Sequence, residues 1–140
     1  MADVKYNIAK SELWKGTFVV LTDTIKIALV TSAYVPNIDT HQFFSDITNE
    51  VVGTGYTAGG ATLASKTVTK DDTNDKGVFD AADVVWTTAT ITARGAVLYK
   101  STGTATTSTL IAYYDFTVDK SSSGGNFTVQ IAATGLATIS

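Results

Sequence analysis

Thr90-Ile91-Thr92-Ala93-Arg94-Gly95-Ala96-Val97-Leu98-Tyr99-Lys100 is the stretch that decides the fold. Side chains along a β-strand point alternately to its two faces. With that period, Ile91, Ala93, Gly95, Val97 and Tyr99 share one face, and Ala96 and Leu98 share the other. Downstream, Leu110, Ala112, Tyr114, Phe116 and Val118 fall on one side of a second strand. Ser121-Ser122-Ser123-Gly124-Gly125-Asn126 then reads as a flexible hairpin loop. Phe127, Val129 and Ile131 alternate with Thr128 and Gln130, and a last strand piece lies near 136–139. Strand, turn and strand at short spacing, without helical crossovers, predict an antiparallel arrangement rather than a parallel α/β sheet.

Upstream, residues 24–31 form another strand. Ile25, Ile27 and Leu29 point one way, Ala28 and Val30 the other, so both faces are apolar and the strand belongs inside a sandwich. Residues 7–15 (NIAKSELWK) read as a short helix with Asn7 as cap, Gly16 as stop, and Ile8, Leu13 and Trp14 as its apolar stripe. Residues 39–47 make one or two helical turns, capped by Asp39 or Thr40, with Phe43, Phe44 and Ile47 for burial. A glycine-punctuated loop at 53–60 leads into a strand at about 61–69, and the polar turn 71–77 precedes two short strand pieces in VFDAADVVW. With no internal repeat and no linker, residues 1–140 are expected to form a single β-rich domain. The expected class is mainly β: an antiparallel β-sandwich or partly open barrel, with one or two short helices in the N-terminal third.

Composition narrows the function. Ten Lys and Arg against thirteen Asp and Glu give a net charge of −3. No basic excess exists to neutralise phosphates, so nucleic acid is not an expected partner. No apolar run approaches the roughly 18 residues of a membrane span, and the N-terminal residues lack the apolar core of a signal peptide. Synthesis in the cytoplasm without export is therefore expected. With no Cys and one His, His41, neither a disulfide framework nor structural zinc is expected, and no cofactor is called for. Thr is in excess at 25 residues, and its branched side chain favours strands and an uncharged, hydrogen-bonding surface.

Candidate chemistry is sparse. Gly53-Thr54-Gly55-Tyr56-Thr57-Ala58-Gly59-Gly60 is close to a dinucleotide loop, but its third glycine falls one position late and no helix follows. Asp71-Asp72-Thr73-Asn74-Asp75-Lys76-Gly77 fails as a calcium loop because Lys76 stands where an oxygen ligand belongs. A Ser/His/Asp triad would have to use His41, and no GxSxG elbow accompanies it. Catalysis is not expected. Arg94, the only arginine, lies mid-strand, where it can lie over apolar neighbours, pair with a carboxylate or anchor an interface. Tyr56 and Tyr113 are further interface candidates, with one of Tyr113 and Tyr114 facing outward, and Gly59 and Gly60 belong to an exposed loop. The remaining exposed candidates are 71–77, 101–109 and 121–126.

Four segments together carry a resemblance. These are Asp23–Ser32 (DTIKIALVTS), Asp39–Val51 (DTHQFFSDITNEV), Gly53–Gly60 (GTGYTAGG) and Ala93–Val97 (ARGAV). In this order they resemble a family of small tailed-bacteriophage and prophage virion proteins, over nearly the whole chain. The resemblance implies a structural component of the phage particle: a capsid decoration (cement) protein, with a tail- or fibre-associated component, or a glycan- or receptor-binding module, as the alternative. It implies the major capsid protein or other virion proteins as partners, self-association, and a final place on the capsid surface after synthesis in a bacterial host. It transfers no catalytic motif.

Overall fold

The computed structural model describes residues 3–132 and 134–139. Its elements in chain order are β1 (Val4–Lys5), α1 (Asn7–Lys15), β2 (Ile25–Val30), β3 (Ala61–Thr62), β4 (Thr67–Asp71), β5 (Lys76–Asp80), β6 (Val84–Lys100), β7 (Leu110–Val129) and β8 (Ala137–Ile139). They form a five-stranded sheet, ordered β1-β7-β6-β2-β3, and a three-stranded sheet, ordered β4-β5-β8. All pairings are antiparallel. The chain is mainly β and sandwich-like, with one α-helix among the described residues, in the N-terminal third, as expected.

The five-stranded sheet buries both faces. Ile25, Ile27 and Leu29 of β2 join Leu98 of β6 and Phe79 of β5 in a core shared with the three-stranded sheet. Ala28 and Val30 point the other way, into a second cluster with Val97, Tyr99, Leu110 and Tyr113. The segment between β2 and β3 covers this second face: Phe44 stacks on Tyr99 with ring centroids 4.3 Å apart. Each buried leucine or isoleucine here contributes on the order of 1.5–3 kcal/mol.

Helix α1 stops where expected. Gly16 adopts φ 74°, and its N–H bonds to Leu13 O at 3.1 Å. Its start differs. Asn7 is the first helical residue and does not cap, because its side-chain amide is drawn to Asp39 at 2.7 Å. The second helical segment is one 3-10 turn, Phe44–Asp46. Neither Asp39 nor Thr40 caps it. Asp46 reaches back instead, accepting from the N–H groups of Gln42 at 2.8 Å and Phe43 at 2.9 Å.

The strand expected at 61–69 is two strands in different sheets, with Ser65 at φ 52° at the crossing. The long ribbon of β6 and β7 departs further from strict alternation. Ala93 pairs with Lys120 and Gly95 with Asp115, so Arg94 alone stands against residues 116–119 of β7. This bulge resets the faces. Ile91 and Ala93 share a cluster with Ala96 and Leu98, whereas Val97 and Tyr99 enter the other. The single face expected for Ile91, Ala93, Gly95, Val97 and Tyr99 is therefore split. In β7, Leu110 lies in one cluster and Ala112 in the other, and Val118 is 53% exposed.

Residues 121–126 are not a hairpin loop. They continue β7, with Ser121 opposite Thr92, Ser122 opposite Ile91 and Gly125 opposite Ala89. Between these pairs, residues 123 and 124 oppose Thr90 alone, and Gly124 takes φ 68°. Gly124 serves a bulge through its positive φ, the same backbone freedom a tight turn uses.

Candidate interaction site

The glycine loop 53–60 is tied down rather than free. Tyr56 Oη accepts the N–H of Leu29 at 2.9 Å and donates to Glu50 Oε1 at 2.7 Å. The same carboxylate oxygen accepts from the N–H of Gly59 at 2.6 Å, and Tyr99 Oη donates to Gly59 O at 2.6 Å. Burial, reinforced by Glu50, pushes the Tyr56 phenol well above its ordinary range. Gly60 has φ 75° and sits directly on β2, where an added Cβ would lie 1.9 Å from Ile27 O. Two-residue β3 follows, where a phosphate-binding loop would need a helix N-terminus. Tyr56, Gly59 and Gly60 therefore act together as a clamp holding the loop on β2.

Arg94 meets a carboxylate, one of its three expected roles. Its Nε donates to Asp115 Oδ1 at 2.9 Å, and its Nη1 lies 4.0 Å from Asp119. Tyr113 does not offer a surface: it is 1% exposed, and Tyr114 is also largely covered, donating to Leu136 O at 2.5 Å. Tyr113 and Tyr114 do point to opposite faces, but this sheet is covered on both, so neither ring faces outward.

His41 Nδ1 lies 2.9 Å from Tyr34 Oη, which lies 2.8 Å from Tyr6 Oη. This chain of polar groups pins the covering segment onto the second core cluster. In the 71–77 turn, Asp71 accepts from the N–H groups of Thr73 and Asn74, both at 3.1 Å. It is a β4–β5 connection held by its own carboxylate. Among the described residues, no group of three or more His, Cys, Asp and Glu is placed to hold a metal ion. The 101–109 connection is ordered around Ser108, 2% exposed, whose hydroxyl accepts from Thr102 N–H at 3.0 Å and donates to Thr104 O at 2.8 Å.

Two of the open features carry apolar walls built from more than one element or from aromatic rings. An apolar groove of about 190 Å³ runs between α1 and the three-stranded sheet. Leu13, Phe18, Val20, Val68, Val78 and Ile139 line it, together with Lys5 and Lys10. An open cleft of about 430 Å³ lies along β7, with Phe116, Phe127, Asn126 and Gln130 among its walls. Compared with family models, curated proteins and solved structures, the chain matches none.

Neither feature follows from the sequence pattern. Leu13 and Trp14 look like core residues of α1, yet they are 39% and 91% exposed. The helical period holds the missed signal. Trp14 follows Ala9, the buried residue of α1, by five positions, about 140° around the helix.

Proposed function

We propose that the protein is a structural component of a tailed-bacteriophage particle, a capsid decoration (cement) protein that binds the outer capsid surface and stabilises the shell. The observation that carries this reading is the ordered set of four segments resembling small phage virion proteins. The geometry is compatible with it. Those segments build the scaffold: 23–32 contains β2, 39–51 covers one face of the sheet, 53–60 clamps onto β2, and 93–97 contains the β6 bulge. His41, Glu50 and Arg94 are each engaged in bonds that hold this scaffold together.

On this reading the protein acts by adhesion. A rigid β-scaffold presents connections and the free edge of β4 to capsid subunits, and repetition over the shell multiplies weak contacts. The test uses phage particles assembled without this chain. Purified protein is expected to bind them saturably, in fixed ratio to the major capsid protein, and to raise the temperature at which they release DNA. Binding confined to tails, or none, overturns the reading.

The cleft along β7 favours a second reading, a glycan-binding module. Phe116 and the side-chain amides of Asn126 and Gln130 supply the apolar surface and polar groups that sugar recognition uses. A glycan array distinguishes the two: hits lost on Asn126→Ala favour this reading, and a blank array removes it.

A further inference from the structure

The groove beside α1 has a matching occupant within the same chain. Trp14 is 91% exposed, whereas the other tryptophan, Trp86, is 7% exposed. Trp14 directly follows Leu13, which lines the groove, yet its own indole lies outside it. Val19, Leu21, Val68 and Ile139 are also half-exposed or more, and Val68 and Ile139 belong to the groove wall. Tryptophan is among the residues most enriched at binding hot spots.

The slot suits an indole in polarity and has room at its floor. Its floor passes over Gly77, where an added Cβ would meet nothing within 4 Å. Its walls are aliphatic and aromatic, and Lys5 and Lys10 are among its lining residues, the Lys10 ammonium donating to Asn7 Oδ1 at 2.9 Å. The face of an indole carries negative potential and attracts an ammonium group placed over it. Lys10 is also four residues before Trp14, so the two lie on neighbouring turns of one side of α1.

We propose that two copies of this chain form a two-fold dimer, with Trp14 of each copy seated in the groove of the other. Groove and tryptophan share α1, so a two-fold axis beside this helix makes both contacts at once and closes the assembly. Each indole packs between α1 and the three-stranded sheet of the facing copy, against its Lys5 and Lys10. The dimer needs no capsid, and the inference holds whether or not the protein decorates one.

The test uses the full-length purified protein. Sedimentation velocity across a concentration series is expected to show a monomer–dimer equilibrium. Trp14→Ala removes the indole, and Gly77→Leu fills the slot where space is open. Each is expected to raise the dimer dissociation constant by about 30-fold or more. Mixing the two variants is expected to restore a heterodimer tighter than either alone, because one intact tryptophan then meets one intact groove. In a Trp86→Phe background, Trp14 emission is expected to shift to shorter wavelength and resist iodide quenching as the dimer forms. A wild type that stays monomeric throughout overturns the proposal. So does a dimer that both variants leave unchanged, or one in which Trp14 stays open to iodide.

Discussion

Arg94 Nε stands 2.9 Å from Asp115 Oδ1 across the point where β7 carries four residues against one of β6. Its Nη1 lies 4.0 Å from Asp119, so one guanidinium spans both ends of the bulge. Asp115 also accepts the N–H of Thr117, which holds φ 67° within the loop-out. The pair thus fixes where the ribbon changes register. Arg94→Lys keeps the charge but not the planar fork. We expect a lower urea midpoint and faster amide exchange at 116–119, with Arg94→Met more severe; exchange unchanged in both variants contradicts the clasp.

Gly60 and Gly59 differ in what surrounds them. Both have positive φ, 75° and 90°, which costs a side-chain-bearing residue about 1–2 kcal/mol. At Gly60 an added Cβ also strikes the β2 backbone, whereas at Gly59 it meets only Lys26 Nζ and Tyr99 Oη at 3.4 Å. Gly60→Ala is expected to cost at least about 1 kcal/mol more than Gly59→Ala by chemical denaturation. Equal losses would show that the loop lifts freely from β2.

Tyr56→Phe removes the acceptor for a buried main-chain N–H, that of Leu29. Glu50 keeps its bond from Gly59. The expected destabilisation is about 1–3 kcal/mol, with faster exchange of the Leu29 amide. A variant as stable as the parent would mean that water reaches this amide.

Alkaline pH should unfold the protein through its phenols. Burial raises Tyr34 to about 12, and burial together with Glu50 raises Tyr99 to about 12, against 10.0 for a free phenol. Both folded values lie above the unfolded one, so the folded state holds protons that the unfolded chain releases. This stabilisation is complete below pH 10 and is lost as pH rises through about 12. Phenolate absorbance and loss of tertiary circular dichroism are expected to rise together in that window. Full phenolate absorbance near pH 10 in a folded protein would contradict the burial.

Much of the architecture was legible residue by residue. The apolar pattern of 25–30 identified a strand buried on both faces, and Gly16 marked the end of α1. Arg94 was readable as a residue seeking a carboxylate, but not which carboxylate. The candidate surfaces fared differently. Tyr113 looked like an interface residue because strand alternation puts one of two neighbouring tyrosines opposite the other. The sheet is covered on both sides, so opposite faces did not mean an exposed one. Ser121–Asn126 has the composition of a turn, because a bulge and a turn ask for the same backbone freedom.

What the sequence determined by itself was local: which segments extend, where the helix stops, and that the chain is rich in antiparallel strands. These follow from side-chain shape and from periods of two and 3.6 residues, which need no distant partner. Tertiary structure decided the register of β6 on β7, the sharing of Ile91, Ala93, Ala96 and Leu98 in one core, and the groove beside Trp14. Each depends on groups far apart in the chain, as Arg94 and Asp115 are at 21 residues, and their meeting is set by the packed whole.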